Sequence, residues 1–531
     1  MSRTLSNAPR EPGTPDDVKI YDEAREPVED STLGIEVKLP PAGPAPHRLV
    51  AVGDSLTQGF MSLAVRATHL SYPAMIAREL GWFDEFRFPT FDGPGGLPLD
   101  LEWLLRGLEE EFGDEFELHE TVKTVLTARR MLENHEDFWE RGPGARTPRT
   151  PGINHNLAIY GWDLRDSLSR DAELAKAEMT RARDNFWPSM PQNSGSLSAL
   201  RVLDSARTES GEALTPLEAA AALGTEGIET LIVYLGANNA LATVLTLDVV
   251  WSGRDYADLE AKKEYTVWTP THFASELRQV ARAVRPARAR HVLWLTVPHV
   301  TIAPIAKGVG GKVSETSRYF HFYTRPWVAD DAFMADPDRY PNLTAGQARA
   351  VDSAIDQYNE AIVAEVTSAR DAGLDWRVVD VCGVLDRLAV RRYVETPGAR
   401  PEWWTPYELP EELEDTLGFT PTTRFLRSGP DGITQGGLVS LDGVHPTTAG
   451  YSIVAHECMK VMIEAGVEFR AADGSVRQDA RLDFAGAARA DTLLTKPLRS
   501  LESNLDLLGW LDNRFALIAA AERAMRRQKR A

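Results

Sequence analysis

Short apolar runs, most of them stopping at a glycine, proline or polar loop, alternate with longer helical segments, and this constrains the chain more than any other feature. Runs at 49–52, 156–160, 230–235, 291–297 and 377–381 have the length and composition of buried strands. Residues 71–80, 216–223, 271–284, 345–369 and 446–465 carry helical signals, with Thr215 as a cap before Pro216. The alternation predicts an α/β fold, a central, mostly parallel sheet with helices on both faces. In such sheets ligands sit beyond the carboxyl ends of the strands. The runs at 49–52, 156–160 and 231–235 lead into polar or glycine-bearing loops, so these loops are where chemistry is expected.

Around this pattern lie three additions. Residues 1–45 are rich in proline and charge and read as an extended or weakly ordered arm. The main domain is expected over 46–466, interrupted by an insertion at about 83–153 with a helix from Leu101 and two glycine-proline loops. The aromatics there, Phe83, Phe86, Phe88, Trp103 and Trp139, with Trp82 just before, are expected to pack a subcore; walling a substrate pocket is the second reading. Residues 305–345 read as loop-rich. Residues 467–531 form a helical extension, with Leu501, Leu505, Leu508, Leu511 and Phe515 at amphipathic spacing and a basic end, Arg523 to Arg530. The apolar stretch 231–251 is long, but Asn238, Asn239 and Asp248 within it are costly at bilayer depth, so no membrane span is expected.

A net charge of −20 disfavours nucleic acid and anionic membrane as partners. The two cysteines, Cys382 and Cys458, are expected to be buried thiols and form no Cys-x-x-Cys pair. His456-Glu457 lacks a second histidine four residues on, and Gly308-Val-Gly-Gly-Lys312 lacks the rest of a phosphate loop. No metal or cofactor is therefore expected. The first thirty residues hold no apolar segment, which makes the cytoplasm the expected compartment. Nothing in the chain signals an oligomeric state.

The run at 49–52 leads into Gly53-Asp-Ser-Leu-Thr-Gln-Gly59, which places Ser55 at the end of a buried strand, where an oxygen nucleophile can reach a cleft. Serine needs a base, an acceptor to orient that base, and donors for the oxyanion. Asp442-x-x-His445 offers a base and its orienting carboxylate on one turn, with Pro446 at the first position of the next helix. Gly161 and Asn238, each in a loop after a strand, offer a backbone N–H and a side-chain amide. His155, His299 and His321 are expected to be structural or at the surface. A Gly-x-Ser-x-Gly elbow is absent around Ser55, which disfavours an α/β-hydrolase.

In order, Gly53-Asp-Ser-Leu56, Gly161, Gly236-Ala-Asn-Asn239 and Asp442-Gly-Val-His-Pro-Thr-Thr-Ala-Gly-Tyr451 resemble the four blocks of the GDSL, or SGNH, hydrolase family. The resemblance implies a three-layer α/β/α fold and hydrolysis of small-molecule esters or thioesters, with no cofactor. It implies Ser55 as nucleophile, His445 as base and Asp442 as its orienting acid. It implies an oxyanion hole from the N–H of Ser55, the N–H of Gly161 and the Asn238 amide. The third block departs from the pattern at Asn239, where an aspartate is usual; the change falls on loop structure rather than on the triad. Acyl transfer or carbohydrate deacetylation at the same Ser-His-Asp site, and a non-catalytic binding protein on a hydrolase frame, are the alternatives.

Overall fold

The computed structural model describes residues 5–6, 10–41, 43, 45–113, 122–148, 150–181, 190–471, 474–501 and 509. At its centre four parallel strands lie in the order β1 (His47–Gly53), β2 (Ile228–Tyr234), β3 (His291–Leu295) and β4 (Trp376–Val379). Their apolar residues are buried almost without interruption, as expected of parallel strands covered on both faces. The register sets Gly53 beside Tyr234 and Val233 beside Trp294, so β1 and β2 end level with each other.

Six helices flank the sheet: α1 (Tyr72–Glu79), α2 (Pro216–Gly224), α3 (Pro270–Val284), α4 (Ala345–Asp371), α5 (Val381–Leu388) and α6 (Thr448–Glu464). Helix α3 packs between α2 and α4, while α6 lies against α1. The starts of α2 and α4 are fixed by capping boxes, Thr215 with Glu218 and Thr344 with Gln347. On α3, Phe273, Leu277, Val280, Ala281 and Val284 form the buried stripe that drives it onto its neighbours.

Several elements differ from expectation for tertiary reasons. The run at 156–160 is not a full ladder strand. It lies extended beside β1, with Ala51 N–H donating to His155 O, Leu157 N–H to Ala51 O and Ile159 N–H to Gly53 O. The stretch from Asp163 into the 180s reads as one helix in the sequence but is broken into two short ones, Leu164–Ser169 and Ala172–Glu178, because Asp171 caps a fresh start; residues 182–189 lie outside the described residues. Residues 305–345 hold a three-stranded antiparallel sheet, Lys307–Lys312, Phe320–Thr324 and Leu343–Thr344, rather than loop alone. Pro446 lies outside α6: Thr447 is its cap, accepting from Gly450 N–H.

The amino-terminal arm is extended but firmly held. Val18 is fully buried, Val378 N–H of β4 donates to Ser31 O, and Arg370 donates to Ile35 O. Arg25 and the Val28 N–H both bond the Asp380 carboxylate. In the insertion, Trp139 and Phe91 pack with Phe60, Val65, Leu97 and Leu197, and Trp82 and Phe86 pack on His155, with Phe88 against Phe86. These aromatics thus fill core. In the extension, Phe469, Phe484, Leu493, Leu498 and Leu501 join the main core. Apart from Leu501, the amphipathic positions out to Phe515, and the basic end, lie outside the described residues. Among those described, no helix is long and apolar enough to cross a membrane.

Candidate active site

Chain reversal at the end of β1 creates the site. Asp54 caps a four-residue turn, Ser55–Gln58, accepting from Leu56 N–H, and Gly59 ends it in the left-handed region. Gly53 is required there, since a Cβ would lie 2.2 Å from Thr57 Oγ1. Ser55 therefore emerges at the first position of the turn, 5% exposed. Its Oγ lies 2.9 Å from His445 Nε2, across 390 residues of sequence. His445 Nδ1 lies 3.0 Å from Asp442 Oδ2. The histidine ring also packs on Phe60, with centroids 4.5 Å apart.

Asp442 is fixed by more than the imidazole. Its Oδ1 accepts the N–H groups of Val444 and His445, and its Oδ2 accepts the N–H of Leu63 at 2.9 Å. Burial alone would raise this carboxyl, but His445 and the Leu63 and His445 N–H groups hold it below the usual carboxylate range. Residues presenting that N–H are themselves strained: Ser62 and Leu63 have φ of 53° and 61°. They are secured by Ser62 N–H donating to Ser440 Oγ and, beside them, by Tyr451 O–H donating to Phe60 O. None of these supports carries a sequence signature.

Gly161 and Asn238 are brought together on neighbouring loops. Asn238 Nδ2 donates to Trp162 O at 2.8 Å, directly after Gly161. Gly161 has φ of +77°, and a Cβ there would meet nothing within 4 Å, so it faces open space. Neither the Ser55 nor the Gly161 N–H has a protein acceptor among the described residues. The second loop is locked to the Ser55 turn by Tyr160 N–H donating to Gln58 Oε1 and Asn156 Nδ2 donating to Thr57 O. It is locked from behind by Lys262, whose Nζ bonds Asp163 Oδ2 at 2.7 Å and Asp166 Oδ2 at 2.8 Å, all three buried. Burial opposes the Lys262 charge, but the two carboxylates hold the ammonium above its usual value. Asn239 takes a long hydrogen bond from Leu164 N–H at 3.5 Å.

The remaining histidines divide as expected. His155 is buried against His47 and the Arg87 N–H, and burial drives it down to about 2. His321 is exposed. His299 is buried between Asp386 at 3.0 Å and Asp356 at 3.0 Å; burial disfavours its charge, but Asp386, Cys382 and Asp352 raise it well above its usual value. His299, Cys382 and Asp386 bring possible ligand atoms within 4.8 Å of one another. The Arg392 guanidinium already stands among them, 3.0 Å from His299 Nδ1 and 3.2 Å from Asp386 Oδ1, and a metal ion would meet that fixed charge. Thr301 and Asp352 also bind Arg392, so sequence-distant residues compose a paired network.

Asp54 is the unexpected group. It is 1% exposed, and burial pushes its carboxyl up to about 7, against the pull of Leu56 N–H and His445. Asp491, buried behind the start of α6, is likewise pushed up to about 7 by burial. Both bind a proton more tightly folded than unfolded. Their contribution to stability is present below the ordinary value of 3.8 and lost as the pH rises through about 7. Asp54→Asn and Asp491→Asn keep the capping acceptor and remove this dependence. Urea titrations at pH 5 and pH 8 should show each variant losing less stability across that interval than the wild type; an equal loss refutes the assignment.

Compared with known proteins, the chain matches no family model and no curated protein.

Proposed function

We propose that the protein is a serine hydrolase that cleaves carboxylic esters through an acyl-enzyme, on a three-layer frame of the SGNH type. The observation that carries this reading is the continuous relay Ser55 Oγ, His445 Nε2, His445 Nδ1, Asp442 Oδ2, with separations of 2.9 and 3.0 Å. Hydrogen-bond contact between nucleophile, base and orienting acid is what acyl transfer requires. The ordered blocks of the sequence support the same reading.

In the reaction, His445 Nε2 takes the Ser55 Oγ proton as Oγ attacks the ester carbonyl. Negative charge on the carbonyl oxygen is met by the Ser55 N–H, the Gly161 N–H and the second N–H of the Asn238 amide. The C–O bond to the alcohol breaks, and His445 returns its proton to the leaving oxygen. Water, deprotonated by His445, then attacks the acyl-enzyme and releases the acid, and the proton returns to Ser55. Asp442 stays ionised, holding the imidazole in the tautomer with a proton on Nδ1.

A fluorophosphonate should label Ser55 in the wild type and leave Ser55→Ala unlabelled; absence of labelling counts against the reading. Asn238→Ala should lower kcat for an activated ester by about 10²–10³-fold with little change in KM. Steady-state kinetics check this, and an unchanged kcat removes Asn238 from the oxyanion hole.

A further inference from the structure

A cavity opens directly against Ser55 and His445, and its walls are nearly all apolar. Two helix faces shape it. From α5 come Val381, Val384, Leu385 and Leu388, which are one face of that helix over two turns. From α6 come Gly450, Ile453, Val454 and Glu457, again one face over two turns. These two faces border a slot, and the 298–304 loop with Tyr72, Tyr234 and Leu241 lines the rest of its wall. Leu388, Leu438 and Ile453 meet as an apolar cluster beside it, and Tyr407 and Leu409 pack on that cluster from outside.

The slot has a direction. Its near end is at the start of α6, where His445 precedes the helix and Tyr451 bonds Phe60 O next to the Ser55 turn. Its far end is at Glu457, whose carboxylate accepts from Tyr407 O–H at 2.8 Å and from Lys460 Nζ at 2.9 Å. From Gly450 to Glu457 the helix rises about 10 Å. A straight chain of single bonds advances about 1.3 Å per bond, so roughly eight carbons reach from the near end to the far end.

Resting on the hydrolase reading above, we propose that the acid half of the substrate is an unbranched aliphatic acyl group of about six to ten carbons, lying in this slot while its carbonyl sits at Ser55. Glu457 closes the far end. A longer chain meets a paired carboxylate there, and an acyl chain ending in its own carboxylate meets like charge. The alcohol half leaves on the opposite side of the carbonyl and makes no use of the slot.

The test is kcat/KM of the full-length protein for p-nitrophenyl esters from acetate to palmitate. The value should rise by roughly threefold to fourfold per methylene up to about eight to ten carbons and then fall. Ile453→Trp places an indole midway along one wall, and Val384→Trp does so on the other. Each should lower the octanoate-to-acetate ratio at least tenfold. Ser55-dependent acetate turnover with a flat chain-length profile, or with a ratio unchanged in both variants, overturns the slot and leaves the hydrolase. If Ser55 neither turns over any ester nor takes a fluorophosphonate, the hydrolase reading fails instead. The slot is then read by binding alone, in Ser55→Ala protein: octanoate should raise Tm where acetate does not, and Ile453→Trp should remove that rise. No rise with octanoate overturns the slot as well.

Discussion

Ser55→Ala should lower turnover of an activated ester by about a million-fold, and His445→Ala by about as much. The two losses should not multiply. Oγ attacks only as Nε2, 2.9 Å away, accepts its proton, so removing either atom removes the same step. The double variant should therefore retain about the activity of each single one, and kinetics on all three check this. Losses that multiply would mean two independent contributions and would break the relay. Asp442→Asn should cost about 10⁴-fold, because an amide nitrogen placed where Oδ2 now lies cannot accept the proton of His445 Nδ1. That variant also disturbs the Leu63 N–H, which shares Oδ2 at 2.9 Å.

Lys262→Met should destabilise the protein by about 3–5 kcal/mol, since it leaves the buried Asp163 and Asp166 carboxylates without their shared cation. Urea denaturation measures this. The effect should reach the reaction as well. Asp163 caps the short helix that begins just after Gly161 and Trp162, and Trp162 O is the acceptor that positions Asn238. The residual folded protein should therefore lose kcat with KM nearly constant, and Lys262→Arg should restore part of both. A full loss of stability with kcat intact would make Lys262 a strut and no more.

The triad was legible because its parts lie in local spacings. A strand ending at a glycine announces Ser55, and three residues separate Asp442 from His445 on one turn. The central strands and the long helices were legible for the same reason, since burial on two faces and capping chemistry are written over a few consecutive residues. What stayed hidden depends on partners far along the chain. Lys262 looks like any charged residue until Asp163 and Asp166 stand within 2.8 Å of it. The amino-terminal arm has the composition of a loose segment, and it becomes ordered through Asp380, Arg370 and the edge of β4. The run at 156–160 reads as a strand and bonds to β1 through Leu157 and Ile159, but it forms only an isolated bridge there, while the Asn156 side chain bonds Thr57 O and the Ala158 N–H. Of the insertion's aromatics, Trp139 packs in a small cluster with Phe60 and Leu97, whereas Phe86 belongs to the main core and Phe83, Phe88 and Trp103 pack against it.

The arm's contact with β4 bears on how the chain must assemble. Residues of the arm seal the edge of a strand some 350 positions later in the chain, as the bond from Val378 N–H to Ser31 O records. Until that bond closes, β4 offers unpaired backbone groups to any passing strand, its own kind included. The arm must stay available, unattached, until β4 has been made, and during that interval the nascent sheet is open to association at this border.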